Sequence, residues 1–378
     1  MSTQSVFIEP LDVLILRGNK LFGDPGSYGE SLIPPWPSVA AGAIRSRILV
    51  DDCVDLAAFA RGEVSHPTLG TPAQPGSFAI TAFCLARRKD DGRIERLMAA
   101  PADLSIGKTN DDSLIVRRLA PAPTHNALAS SAPLPLLPML AETTRSKPES
   151  GYWLSEAAWA HYLAGTPIPT HELIPSRDLW KIDERVGVGL SSATRAAEEG
   201  KLFSTQAVAF SPNIGFIARM IGATPPRDGL LRFGGDGRGC ALHPAHDAAL
   251  EPDYAVLTRA RRCKLVLQSP GLFTQGWLPN GITHDADGSY RFDLHGVRAK
   301  LVCAAVPRAE IISGWDLAKQ HPKPAQRVAP SGSVYWLDEL EATPEVLRKL
   351  AEHGFWSASC EDAQRRTEGF NRLVMAAW

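Results

Sequence analysis

Two arginines frame a glycine-rich stretch in Arg232-Phe233-Gly234-Gly235-Asp236-Gly237-Arg238-Gly239. Glycine lets backbone approach a ligand closely and take torsions closed to other residues, and arginine forks match phosphate oxygens. Gly234, Gly235, Gly237 and Arg238 are therefore candidates for gripping a phosphate backbone. A plain glycine-rich hairpin would read the same way. The stretch is not a Walker loop, which would end in Gly-Lys-Ser/Thr, nor a dinucleotide fingerprint in its strand and helix context. Upstream, Arg17, Asn19 and Phe22 are followed by Pro34-Pro35-Trp36-Pro37-Ser38, joining a cation, an amide and two aromatics to the start of a helix. Helix N-termini favour anions, and Phe22 or Trp36 could stack an unpaired base. Packing of Trp36 beside its prolines onto the core is the competing reading.

A third candidate runs from Asp183 to Phe203, where Arg185 and Arg195 alternate with glycines and hydroxyls. It fits a loop laid over a backbone ligand, or a solvated charged hairpin. Lys319, His321, Lys323 and Arg327 add local positive charge in a Pro-interrupted loop, and Lys323 joins the candidate set. For catalysis the residues are poor. There is no G-x-S-x-G elbow, no H-E-x-x-H and no H-x-E with P-C-x-x-C. His243, His246 and Asp247 make a weak metal claim against a polar-loop reading. A metal-free nuclease using a lone His with Lys or Tyr would leave no mark in sequence order. The expectation is no catalytic residue, no metal and no cofactor.

These segments need elements to hold them. Val6 to Leu16 reads as a strand running into a long loop, with Ser38 as N-cap of a helix bearing Val39, Ala43, Ile44 and Ile48. Phe78 to Arg87 and Arg93 to Ala100 flank Asp90-Asp91-Gly92 as a hairpin. Residues 101–150 are Pro- and Ala-rich and receive no elements, being read as an inserted loop. Ser155 caps a helix that Gly165 stops, and a strand over Gln206 to Ile217 then leads to Leu230–Phe233. The order β-α-β-β-α-β recurs after Arg262. Lys264–Leu267, Ala299–Val306 and Val334–Leu337 read as strands, Thr343-Pro344 starts a helix, and Phe370–Ala376 supplies a last strand. The expected class is α+β: two tandem ferredoxin-like domains with long loop insertions, residues 1–250 and 251–378.

The 378 residues allow two or three cores, and 44% hydrophobic with 21% charged residues excludes a disordered chain. With 40 Lys+Arg against 41 Asp+Glu the formal charge is −1, so any polyanion site must be a local patch. The 6 cysteines contain no C-x-x-C pair, which argues against a zinc knuckle or disulfide framework. No leader pattern opens the chain, and no apolar run approaches the roughly 20 residues needed to cross a bilayer. The expected compartment is the cytoplasm.

Four blocks in this order carry a resemblance to the third RAMP subunit of the type III-B (Cmr) CRISPR assembly: Asp12–Phe22 with Ser31–Arg45; Glu184–Phe203; Leu231–Gly239; and Lys264–Trp277, followed by Gly314–Tyr335 and Glu368–Trp378. Together they span nearly the whole chain. The resemblance implies two RRM-like ferredoxin (RAMP) folds that hold the 5′ repeat-derived tag of the CRISPR RNA without nuclease activity. Its implied partners are the large polymerase-like subunit and the backbone RAMP subunit, in antiviral defence. Arg17 to Phe22, the Pro34–Ser38 turn, Arg185 to Arg195 and Gly234 to Arg238 become candidates for tag contact. The glycine loop departs from the family's Gly-Gly-Glu-Arg type by reading Gly-Gly-Asp-Gly-Arg. A metal-independent repeat-processing RAMP endoribonuclease, a protein-only scaffold and the equivalent type III-A subunit remain alternatives.

Overall fold

The computed structural model describes residues 3–18, 28–109, 111–124, 130–140, 142, 147–226, 228–247, 250–316 and 321–378. Asn19 and Phe22, two of the candidates, lie outside these residues. The protein is mixed α+β, rich in strands with few helices. It divides into two compact units: Met1–Glu95 with Arg177–Asp247 and Ile311–Gln326, and Arg96–Ser176 with Ala248–Glu310 and Arg327–Trp378. The units are thus interleaved along the chain, with no single seam near residue 250. Among the described residues no helix is long and apolar enough to cross a membrane.

The first unit is built on an antiparallel sheet ordered Ala79–Arg88, Ile214–Ile221, Gln4–Pro10, Gly239–Ala245, Gly229–Arg232. Val6 and Ile8 alternate with Phe7 along the central strand, and all three are buried, as expected of a strand covered on both faces. Helix Pro37–Asp51 buries Pro37, Ala40, Ala41, Ile44, Ile48 and Leu49, a stripe at helical spacing. Its N-cap is Trp36 and not the expected Ser38. Pro37 takes the first helical position, where its fixed torsion is already helical and its missing N–H is no loss, so Ser38 falls inside the first turn. The expected Asp90–Gly92 turn is present, closing Ala79–Arg88 onto Ile94–Ala99. Glu95 is buried in that hairpin and accepts from Arg87 (2.7 Å), with Lys89 at 3.0 Å. The strand expected over Gln206 to Ile217 is two strands, Ala197–Phe210 and Ile214–Ile221, broken by a turn whose Asn213 has φ 64°.

The second unit's sheet is ordered Ile282–His284, Tyr290–Leu294, Val297–Ala305, Val334–Glu341, Cys263–Leu267, Leu373–Ala376. Helix Pro344–His353 starts as its Thr343-Pro344 pair implies, with the threonine hydroxyl accepting from Val346 N–H. Helix Glu156–Ala164 likewise has Ser155 as cap and left-handed Gly165 as stop. That helix packs in this unit, although sequence order suggested the first. Residues 101–150, expected to be elementless, contain two short hairpins, Leu104–Lys108 with Leu114–Arg118 and Ala120–Pro123 with Leu136–Met139. Beneath them Lys264 Nζ reaches Asp103 at 2.6 Å, Tyr162 donates to the same carboxylate at 2.9 Å, and all three are buried. Loss of hydration pulls the Lys264 amine below its ordinary pKa, and the Asp103 charge opposes that pull.

Candidate nucleic-acid interface

Phe233 fixes the start of the glycine loop. It is fully buried, and its ring stacks on Phe216 at 5.3 Å. The following residues turn sharply, with positive φ at Gly234 (75°), Asp236 (56°) and Gly237 (63°). Gly235 N–H donates to Ile15 O at 2.8 Å, and a Cβ on Gly234 would lie 2.6 Å from that same oxygen. The glycines at 234 and 235 therefore serve close contact between this loop and the segment Asp12–Arg17, and the arginines are carried at its margins. Arg238 Nη1 lies 3.5 Å from Asp12 and Arg17 Nη2 4.0 Å from Asp236, so the two loops also exchange ion pairs.

The same segment continues the assembly. Leu14 and Val208 exchange backbone hydrogen bonds at 2.8 and 2.9 Å, seating the base of the hairpin Trp180–Leu190 with Ala197–Phe210. Arg17 bridges to Ser31, and Ser31 bonds Gln206 through both its N–H and its hydroxyl, each at 2.9 Å. Tyr28 donates to Glu184 at 2.9 Å, and that carboxylate holds the phenol proton, raising the tyrosine pKa. Asp12–Arg17 and Tyr28–Ser31 are thus stitched to one hairpin base far along the chain, and the glycine loop joins them through Ile15. Tyr28, Ser31, Glu184 and Gln206 were not among the expected site residues; polar residues within a strand give no sequence sign of a cross-chain clamp.

At about 3.3 Å per residue the hairpin arms run roughly 35 Å. Asp183 and Arg185 share one face, with Arg185 Nη2 2.8 Å from the aspartate. Phe203 covers Gly187 on that face and Lys201 covers Gly189, each so close that a Cβ on the glycine would meet the side chain at under 3.0 Å. The opposite face carries Val186, Val188, Leu190 and Leu202 to solvent, Val186 at 71% exposure. Their alternation with Gly187 and Gly189 was the available sequence signal. Arg195 sits at the turn with φ 55°, its side chain exposed and without a partner among the described residues.

Trp36 is half-buried, and its indole N–H is enclosed without a hydrogen-bond partner among the described residues. Its position favours the packing reading over a stacking platform. Ser38 lies half-buried in the first helical turn. Lys323 belongs to the same unit on a separate hairpin, Trp315–Asp316 with His321–Pro322, where its N–H bonds Gly314 O at 2.8 Å. Among the described residues no group of three or more His, Cys, Asp or Glu gathers as a metal site. The arrangement offers cations and an exposed apolar ribbon, a set suited to a phosphodiester chain with unpaired bases.

A family model described as CRISPR-associated protein (Cas_Cmr3) matches residues 6–378. Among solved structures the chain is similar to a chain of the cryo-EM structure of the Type III-B Cmr-beta bound to cognate target RNA and AMPPnP, state 1. Identity is 13%, 98% of each chain is covered, and the TM-score is 0.49. It is also similar to a chain of the Type III-B Cmr-beta bound to cognate target RNA, at 12% identity over 98% of this chain and 96% of the other, TM-score 0.48. No curated protein matches.

Proposed function

The chain belongs to the CRISPR-associated Cas_Cmr3 family, and from that premise we propose that it is a non-catalytic RNA-binding subunit of a type III-B CRISPR effector complex. It holds the 5′ repeat-derived tag of the CRISPR RNA and bridges the large polymerase-like subunit to the backbone RAMP subunit. The observation that carries this reading is the convergence of Asp12–Arg17 and Tyr28–Ser31 on the base of one long hairpin, with the glycine loop bonded to the first of them. Arginines 17, 185 and 238 all belong to that network, and Arg195 stands at the hairpin's far end. RNA tag recognition needs phosphate grips that position the strand and open base-sized surfaces between them.

The proposed fold is a pair of ferredoxin-like RAMP domains. In favour of it, each unit contains four antiparallel strands that, numbered by their order within the unit, run 4-1-3-2 across the sheet. In the first unit these are Gly239–Ala245, Gln4–Pro10, Ile214–Ile221 and Ala79–Arg88; in the second, Leu373–Ala376, Cys263–Leu267, Val334–Glu341 and Val297–Ala305. That is the order of a β-α-β-β-α-β fold. The first unit keeps a helix after its first strand and the second keeps one after its third.

The test is ultraviolet crosslinking of the chain to CRISPR RNA within the assembled complex, with peptides mapped by mass spectrometry. Crosslinks to the tag at residues 185–204 and 232–238 are expected, and Arg185→Ala with Arg195→Ala should weaken tag retention and flatten its salt dependence. Unchanged retention removes these residues from the site. Cleavage of repeat RNA by the purified chain without added metal would overturn the non-catalytic assignment.

A further inference from the structure

A cleft of about 470 Å³ opens within the second unit and shares no residue with the candidate RNA set. Leu134, Leu136, Leu137, Trp277, Val306 and Val328 line it, and its volume falls in the roughly 300–1,000 Å³ range of clefts that take a ligand. The lining is held in place. Leu134 belongs to the buried core, and Trp277 and Val306 pack against that core. Tyr335 donates to Trp277 O at 2.8 Å, and just beyond Val328 the backbones of Ala329 and Gly271 exchange hydrogen bonds at 2.8 and 2.9 Å.

The chemistry of this lining is one-sided. Its side-chain hydrogen-bonding groups are the Arg327 guanidinium and the Trp277 indole N–H, both donors. Arg308 stands in the chain between two further lining residues, Pro307 and Ala309. Arg308 and Arg327 are exposed, and neither meets a carboxylate among the described residues. Outside those residues the sequence holds a single acidic side chain, Asp24, so residues 125–129 and 317–320 bring no carboxylate to either arginine. The cleft therefore suits an apolar occupant that carries negative charge. A nucleobase fits it poorly, because a base edge presents donors as well as acceptors and the lining side chains would leave those donors unpaired. An apolar side chain seated in a pocket, with a charged pair at the rim, is how protein partners anchor and choose one another.

We propose that this cleft takes an acidic, apolar segment of a protein partner: large aliphatic or aromatic side chains fill it, and an Asp or Glu beside them answers Arg327 and Arg308. This rests on the reading of the chain as a subunit of a multi-protein complex and states the chemistry of one of its contacts.

The experiment probes an array of overlapping peptides from the other subunits of the complex with the full chain, and measures the peptides it binds by fluorescence anisotropy. Binding is expected for peptides that set Asp or Glu beside large apolar side chains. Arg327→Glu should weaken them by about 10-fold or more, the loss of one charge-assisted hydrogen bond. The same peptides with Lys in place of Glu should prefer the Arg327→Glu chain to the wild type, a swap that only a direct charge contact produces. Ala309→Trp, which fills the cleft from an exposed position, should block both. Arg327 is exposed and has no partner among the described residues, so its replacement spares the fold, which circular dichroism checks. The proposal is overturned if the wild type binds no peptide, if carboxylates make no difference, or if charge reversal changes nothing. Displacement of bound peptide by single-stranded oligo(U), itself weakened by Arg327→Glu, would make the cleft an RNA site and also overturn it. Failure here with the tag crosslinks intact leaves the functional reading standing. A chain that does not enter the complex overturns that reading whatever peptides it binds.

Discussion

Three arginines of the candidate interface are each matched by an aspartate: Arg185 by Asp183, Arg238 by Asp12 and Arg17 by Asp236. Exposed pairs of this kind contribute about 0–1 kcal/mol, whereas a guanidinium fork on phosphate is a stronger, charge-assisted contact. An incoming phosphate can therefore displace the aspartate at little cost. Asp183→Asn is expected to tighten single-stranded RNA binding by a few fold and Arg185→Ala to weaken it, both read by anisotropy. The glycines of the loop divide in the same concrete way. Gly234→Ala combines φ 75° with a Cβ 2.6 Å from Ile15 O, whereas at Gly237 (φ 63°) nothing lies nearer than 3.9 Å. We expect Gly237→Ala to cost about 1 kcal/mol from torsion alone. Gly234→Ala should cost clearly more, as read by thermal unfolding of the two variants side by side. The arginines and glycines were legible as residue types. Their partners were not, since Arg238 and Asp12 stand 226 positions apart and nothing local relates them.

Among the elements, those with strong local punctuation were readable: the Asp90–Gly92 turn between two β-rich runs, and Ser155 and Gly165 at either end of a helix. The short hairpins of residues 104–139 were not, because Pro121, Pro123 and Pro138 sit in strands that pair on one side only and so lack the usual strand signature. Ser38 misled because a proline before it outranks a hydroxyl as a helix starter. The readable hairpin also carries a pH effect. Burial pushes the Glu95 carboxyl up, but the hydrogen bonds and charges of Arg87 and Lys89 outweigh that and leave its pKa below the ordinary 4.5. A carboxyl depressed in the folded state contributes stability that is present above 4.5 and is lost as pH falls through the lowered value. Acid titration of unfolding should show the wild type losing stability below about pH 4.5 more steeply than Glu95→Gln.

For the whole molecule, the informative feature is how distant stretches share a core. Leu154, Trp159, Tyr162 and Leu163 from the middle of the chain pack in one cluster with Val266, Val334, Trp336 and Val374. Asp103 meets Lys264 across 161 positions. Lys264→Met alone strands a buried carboxylate and should destabilise by about 3–5 kcal/mol, while Lys264→Met with Asp103→Leu should recover most of the loss. Denaturant unfolding of the two variants measures the difference. Periodicity could announce two cores, yet the assignment of residues 96–176 to the second depends on contacts that only tertiary packing decides. The interleaving bears on how the protein is made. A nascent chain that has emerged only as far as residue 250 already contains Trp159, Tyr162 and Leu163 but none of the later strands that cover them. Those side chains must be shielded during translation until the strands that carry Val266, Val334, Trp336 and Val374 have followed them out.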